Sequence, residues 1–189
     1  MANANPAMEM MFKVMCARSM TPMAALAGAH LARRKTPGTL RLLTHPVFTG
    51  GALLMGVGAT AVMDTWLVLL RHLGVPTLNF AFIGRWVGHL LQGRIAHTAI
   101  AKAPPIWGER AWGWLTHYAV GVGFATVLLG MVGADWVHHP TLLPALAMGV
   151  VTVAAPLLVM QPAMGSGFAA SRTPTPLKNC LRSLANHTV

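Results

Sequence analysis

Three stretches of this chain are apolar, nearly free of charge and long enough to cross a bilayer core, which takes about 20 residues of helix. The first runs from about Phe48 to Leu70 with Asp64 as its one ionisable residue. The second runs from about Trp112 to Gly133 and holds His117 and Tyr118. The third, about Thr141 to Met164, is uncharged but contains Pro144, Pro156 and Pro162. Three such stretches leave too little polar chain to cover them as buried helices of a water-soluble domain. Charged residues make up only 10% of the chain, against roughly 25% in ordinary soluble domains. The expectation is an all-α membrane protein with three transmembrane helices, in which Pro156 kinks the third.

Lysines and arginines number 14 against four acids (Glu9, Asp64, Glu109 and Asp135). In so apolar a chain this excess marks the flanks of membrane spans and not a nucleic-acid surface, so no nucleic-acid partner is expected. The connection after the first span carries Arg71, Arg85, Arg94, Lys102 and Arg110, and the tail after the third carries Arg172, Lys178 and Arg182. The link Ala134–Pro140 has no Lys or Arg. The basic side is the cytoplasmic one, giving a multi-pass protein of the bacterial inner (cytoplasmic) membrane. Residues 1–47 conflict with that topology, because Lys13, Arg18, Arg33, Arg34, Lys35 and Arg41 should also stay inside. This extension is expected to be disordered or spurious, with the membrane domain occupying 48–189.

Between the first two spans, Phe80, Ile83, Val87, Leu90 and Leu91 recur at helical spacing, with Arg85, His89 and Gln92 opposite. The pattern fits an amphipathic helix over Asn79–Arg94, lying in the membrane interface or capping the bundle.

Asp64 is the sharpest functional signal, since an acid inside a span is costly and faces a partner or water. It ends a stripe of small residues, Ala52, Gly56, Thr60 and Asp64, spaced four apart on one helix face. The second span has a matching stripe, Gly113, His117, Gly121 and Ala125. Small stripes let helices approach closely in membranes. Asp64 lies six residues before Leu70 and His117 five after Trp112, so both sit about 8–9 Å from the same membrane face. An Asp64–His117 contact is therefore expected. Gln161, Glu109, Arg110 and Arg172 fall near that face and complete a candidate polar cluster, although Glu109-Arg110 also reads as a solvated interfacial pair.

The remaining chemistry is sparse. His89 and His97 are eight apart, His138-His139 sit in the outer link, and Cys16 and Cys180 stand alone, so neither a metal site nor a cofactor is expected. The glycine-rich runs lack the Lys-Ser/Thr of a phosphate loop. Most of the six tryptophans fall at span ends, as an aromatic belt does.

From about Leu53 onward the chain resembles an uncharacterised bacterial multi-pass membrane-protein family, domain of unknown function 2938. The likeness is carried by Gly56–Trp66, by Asn79–Arg94 with its Ile83-Gly84-Arg85-Trp86-Val87-Gly88-His89 core, and by Ala103–Arg110. It continues through Gly113-Trp114-Leu115-Thr116-His117-Tyr118 and Met160–Pro174. The resemblance implies a four-helix inner-membrane protein with no assigned activity, whose fourth apolar helix would follow Leu181–His187 and is apparently missing.

Three functions stay open at this point. One is proton-coupled transport of a small solute through the Asp64/His117 cluster, since histidine titrates near neutral pH. Another is an enzyme acting on a lipid or lipid-linked substrate, with His117 as general base and Glu109/Arg110 placing a headgroup. The third is a non-catalytic assembly subunit in which the Asp–His pair only fixes helix register. The partners expected are the lipid bilayer and, for so small a bundle, further copies in a homo-oligomer.

Overall fold

The computed structural model describes residues 45–189. The chain divides into two compact units, Met1–Thr49 and Gly50–Val189. Of the first unit only residues 45–49 are described; they open helix α1, where the Thr49 hydroxyl donates to the carbonyls of His45 and Pro46. The expected disorder of the extension therefore lies outside the described residues for 1–44, while Pro46 and Val47 are helical.

The elements are α1 (Pro46–His72), α2 (Phe80–Leu91), α3 (Glu109–Val132), α4 (Leu142–Ala163) and α5 (Pro176–Thr188). No strand occurs among the described residues. The fold is all-α, and α1, α3 and α4 are the three helices long and apolar enough to cross a membrane. Helical winding pairs most backbone groups of these spans within the span itself, as hydrocarbon demands. Hydroxyls within them fold back in the same way. Thr60 donates to the Gly56 carbonyl at 2.6 Å, Thr65 to Ala61 at 2.9 Å and Thr126 to Val122 at 2.8 Å.

Glycines at positive φ end or begin these rods. Gly74 (φ +74°) turns the chain off α1, with the Val75 amide returning to the Leu70 carbonyl at 2.9 Å. Gly133 (φ +99°) closes α3. In α4, Pro156 has no N–H to give the Thr152 carbonyl, and the regular helix stops at Thr152. A wide π-helical stretch, Ala155–Met160, follows before regular winding resumes at Gln161. At Pro156, where the kink is expected, the helix widens locally.

The small stripes do bring α1 and α3 together. Ala52, Gly56 and Thr60 are buried. A Cβ on Gly56 would run into the backbone of Val122, and one on Gly121 into the Thr60 hydroxyl. The α3 stripe serves two neighbours, however: Gly113 faces α2, where a Cβ would overlap the Phe80 carbonyl. Reciprocally, a Cβ on Gly84 would overlap the Glu109 carbonyl. Backbone therefore lies on backbone where α2 crosses the first turns of α3.

This contact corrects the expected orientation of α2. Its buried residues are Phe80, Ala81, Ile83, Gly84, Arg85 and His89, while Leu90 and Leu91 are exposed. The helix turns part of its polar side inward because Gly84 permits the approach and because Arg85 finds partners there. The Asn79 side chain caps it, accepting from the Ala81 amide at 3.0 Å. Beneath lies a core of Leu67, Phe80, Ile83, Ile100 and Met164.

Residues 176–188, read above as the approach to a further apolar helix, are themselves helical. They form α5, which packs on α4 so closely that a Cβ on Gly149 would overlap the His187 carbonyl.

Gly84 should accordingly be intolerant of side chains. Gly84→Val is expected to destabilise the protein by at least about 1–3 kcal/mol through overpacking against backbone. Gly123→Val, in open space, should stay near wild type. Thermal unfolding in detergent checks this; equal midpoints for the two variants would contradict the backbone contact.

Candidate functional site

Asp64 and His117 each lie eight residues from the helix end they share, His72 and Glu109, so both sit about 12 Å along their helices. Their side chains meet. His117 Nε2 lies 3.0 Å from Asp64 Oδ1, and the Tyr118 hydroxyl donates to Asp64 Oδ2 at 2.9 Å. Both carboxylate oxygens are thus engaged, at side-chain exposures of 14% for Asp64 and 12% for His117. An ionised Asp64 requires the proton of this bond to sit on Nε2. The Phe80 ring stands 4.5 Å from the imidazole, so the first residue of α2 covers it.

Nearby contacts tie α5 to the same region. Trp66, two residues beyond Asp64, donates Nε1–H to Asn186 Oδ1 at 3.1 Å. The Thr152 hydroxyl lies 3.1 Å from both the Gly149 carbonyl and His187 Nδ1, joining α4 to α5.

A second polar network sits where α2 crosses α3. Arg85 and Glu109 form a two-pronged ion pair, Nε to Oε2 at 2.8 Å and Nη2 to Oε1 at 2.9 Å. Arg85 Nη1 donates to the carbonyls of Ile100, Ala101 and Ala103, and the Ile106 amide donates to Glu109 Oε2. The hydrogen bonds that the guanidinium donates to Glu109 raise its pKa above the ordinary value, against the lowering effect of burial. One turn on, His89 Nδ1 and His97 Nε2 share a hydrogen bond at 2.7 Å.

The expected six-residue cluster is therefore not one cluster. The structure joins Asp64 to His117, but Glu109 belongs to Arg85 and is not a solvated partner of Arg110. Its carboxylate is drawn inward by a buried guanidinium, for which it is the one acidic partner among the described residues. Arg110 and Arg172 are exposed. Gln161 Oε1 is buried without a hydrogen-bond partner, and among the described residues no hydrogen bond links Gln161, Arg110 or Arg172 to the Asp64–His117 pair.

Sequence reasoning missed Tyr118, Arg85, Asn186 and His187. Tyr118 is next to His117 and off its stripe, so helical spacing gave no signal for it. Arg85 falls opposite the apolar residues of its helix, so periodicity gives no signal of a buried partner. Among the described residues no three His, Cys, Asp or Glu side chains group to hold a metal ion. Chemically, the Asp64 site places a carboxylate, an imidazole and a phenol in direct contact, three groups able to exchange protons.

The Arg85–Glu109 pair should behave as a buried ion pair. Arg85→Met and Glu109→Met, each leaving a largely buried charge without its partner, are expected to lower stability by about 1–3 kcal/mol. The double variant should be less damaged than their sum, measured as a thermal-unfolding cycle in detergent. Strict additivity would contradict the pairing.

No curated protein and no solved structure matches this chain. One family model does, over residues 53–189, which takes in Asp64, His117, Tyr118, Arg85, Glu109 and all of α5. The chain belongs to the family described as "Protein of unknown function (DUF2938)".

Proposed function

We propose that this is an integral protein of the bacterial inner membrane in which Asp64, His117 and Tyr118 hold and release a proton coupled to the movement of a small solute. The observation that carries the reading is a carboxylate inside a span, nearly buried, with one oxygen on an imidazole and the other on a phenol. Intramembrane acids facing the bundle interior mark proton relays and ion paths. Imidazole supplies the group that titrates near neutral pH.

A structural reading has an observation of its own in favour. The Asp64–His117 bond continues the same face as the Gly56–Gly121 contact, one helical turn beyond Thr60. On that reading the pair fixes helix register and nothing more.

Asp64→Asn separates the two. Proteoliposomes loaded with a pH-sensitive dye and challenged with panels of small amines, amino acids and sugars should show solute-driven proton movement. The variant should accumulate normally and lose at least about 90% of that flux, as removal of a relay group does. Unchanged flux in the variant, or no proton movement with any solute, would contradict transport. Loss of accumulation together with flux would favour the register role.

A further inference from the structure

Beyond the proton site, the segment between α2 and α3 builds a different kind of surface. Gly93 (φ +81°) ends α2, and the chain then runs without regular structure to Ala99. It is held at both ends: the Arg94 amide donates to the His89 carbonyl, His97 to Ala163 and Ile100 to Met164, at 2.8–3.0 Å. Gly165 lies against the Thr98 carbonyl, where a Cβ would overlap it. This fixed strip walls an open groove of about 560 Å³ whose lining includes Arg94, Lys102, Thr98, His97, Ala96 and Ala99, and no carboxylate.

Two cations and several free amides gather there. The Arg94 and Lys102 side chains are exposed. The amides of Ile95, Ala96, Thr98 and Ala99 donate to no carbonyl or side chain among the described residues. Two cations, a hydroxyl and unengaged amides without a carboxylate suit a phosphate group. Ile95, in the lining, is 66% exposed, and two further apolar side chains are exposed close by in the chain, Leu91 (77%) two residues before Gly93 and Trp107 (92%) three after Pro104. An exposed aliphatic side chain among cations, with an exposed leucine and indole on the flanking segments, matches the headgroup level of a bilayer better than it matches a soluble ligand.

We propose that the Arg94–Lys102 groove binds the phosphate headgroup of an anionic phospholipid, with Ile95 against its acyl chains. The site is independent of the Asp64 reading and shares no residue with it.

Titration of the full chain in neutral detergent with phosphatidylglycerol, followed by native mass spectrometry, tests the assignment. Saturable binding is expected, weakened about tenfold or more in Arg94→Ala/Lys102→Ala. Lys178→Ala/Arg182→Ala removes the same charge from α5 and should stay within about twofold of wild type. Should the alanine pair fail to fold, Arg94→Gln/Lys102→Gln carries the same expectation. Equal weakening by both double variants would overturn the groove in favour of diffuse charge. Phosphatidylcholine binding as well as phosphatidylglycerol, or inorganic phosphate displacing the lipid, would overturn the anionic-lipid assignment.

Discussion

Hydrocarbon offers no hydrogen bonds, so a carboxylate inside a span has to find its donors within the protein. Asp64 finds them on α3, in His117 and Tyr118. That requirement reaches along both helices. For the side chains to meet, α1 and α3 must run close together, and closeness requires residues without bulk at Gly56, Thr60 and Gly121. The polar pair and the small stripes are therefore one device: the stripes bring the backbones together, and the pair sets which turn faces which.

The Arg85–Glu109 network extends this frame to α2. Glu109 is eight residues before His117 on the same helix, and Arg85 is five after Phe80, the residue that covers the imidazole. Holding Arg85 on Glu109 therefore holds Phe80 over His117, and the Gly84–Gly113 contact leaves α2 little room to slide. Arg85 also gathers the carbonyls of Ile100, Ala101 and Ala103, which anchors one wall of the Arg94–Lys102 groove. A charged pair is thereby buried at the crossing without an unpaired partner, and the two halves of the long connection are tied to one helix end.

Much of this was legible in the sequence. Apolar length located the three spans to within about three residues at each end, as expected of boundaries that fray. Four-residue spacing singled out Gly56, Thr60, Asp64, His117 and Gly121, because a helix repeats its faces and small residues in a span have few other uses. What stayed hidden depended on neighbours distant in sequence. Arg85 and Glu109 are 24 residues apart with a break at Pro104-Pro105, and no periodicity spans that turn. Amphipathic pattern sets Arg85 opposite the apolar residues and cannot anticipate a carboxylate on another helix. Tyr118 escaped because its hydroxyl reaches round from the adjacent position. Asn186 and His187 escaped because α5 reads as a polar tail; its docking on Gly149 comes from a backbone contact that leaves no trace in hydropathy.

The distance between the Asp64 carboxyl carbon and the His117 Nε2 nitrogen tests the account most directly. It can be measured by solid-state nuclear magnetic resonance on the selectively labelled full chain in lipid. The hydrogen bond at 3.0 Å predicts a separation of about 4 Å, with a strong dipolar coupling. A separation beyond about 6 Å, too long for any direct hydrogen bond, would mean that the intramembrane acid has another partner and that α1 and α3 do not meet in this register.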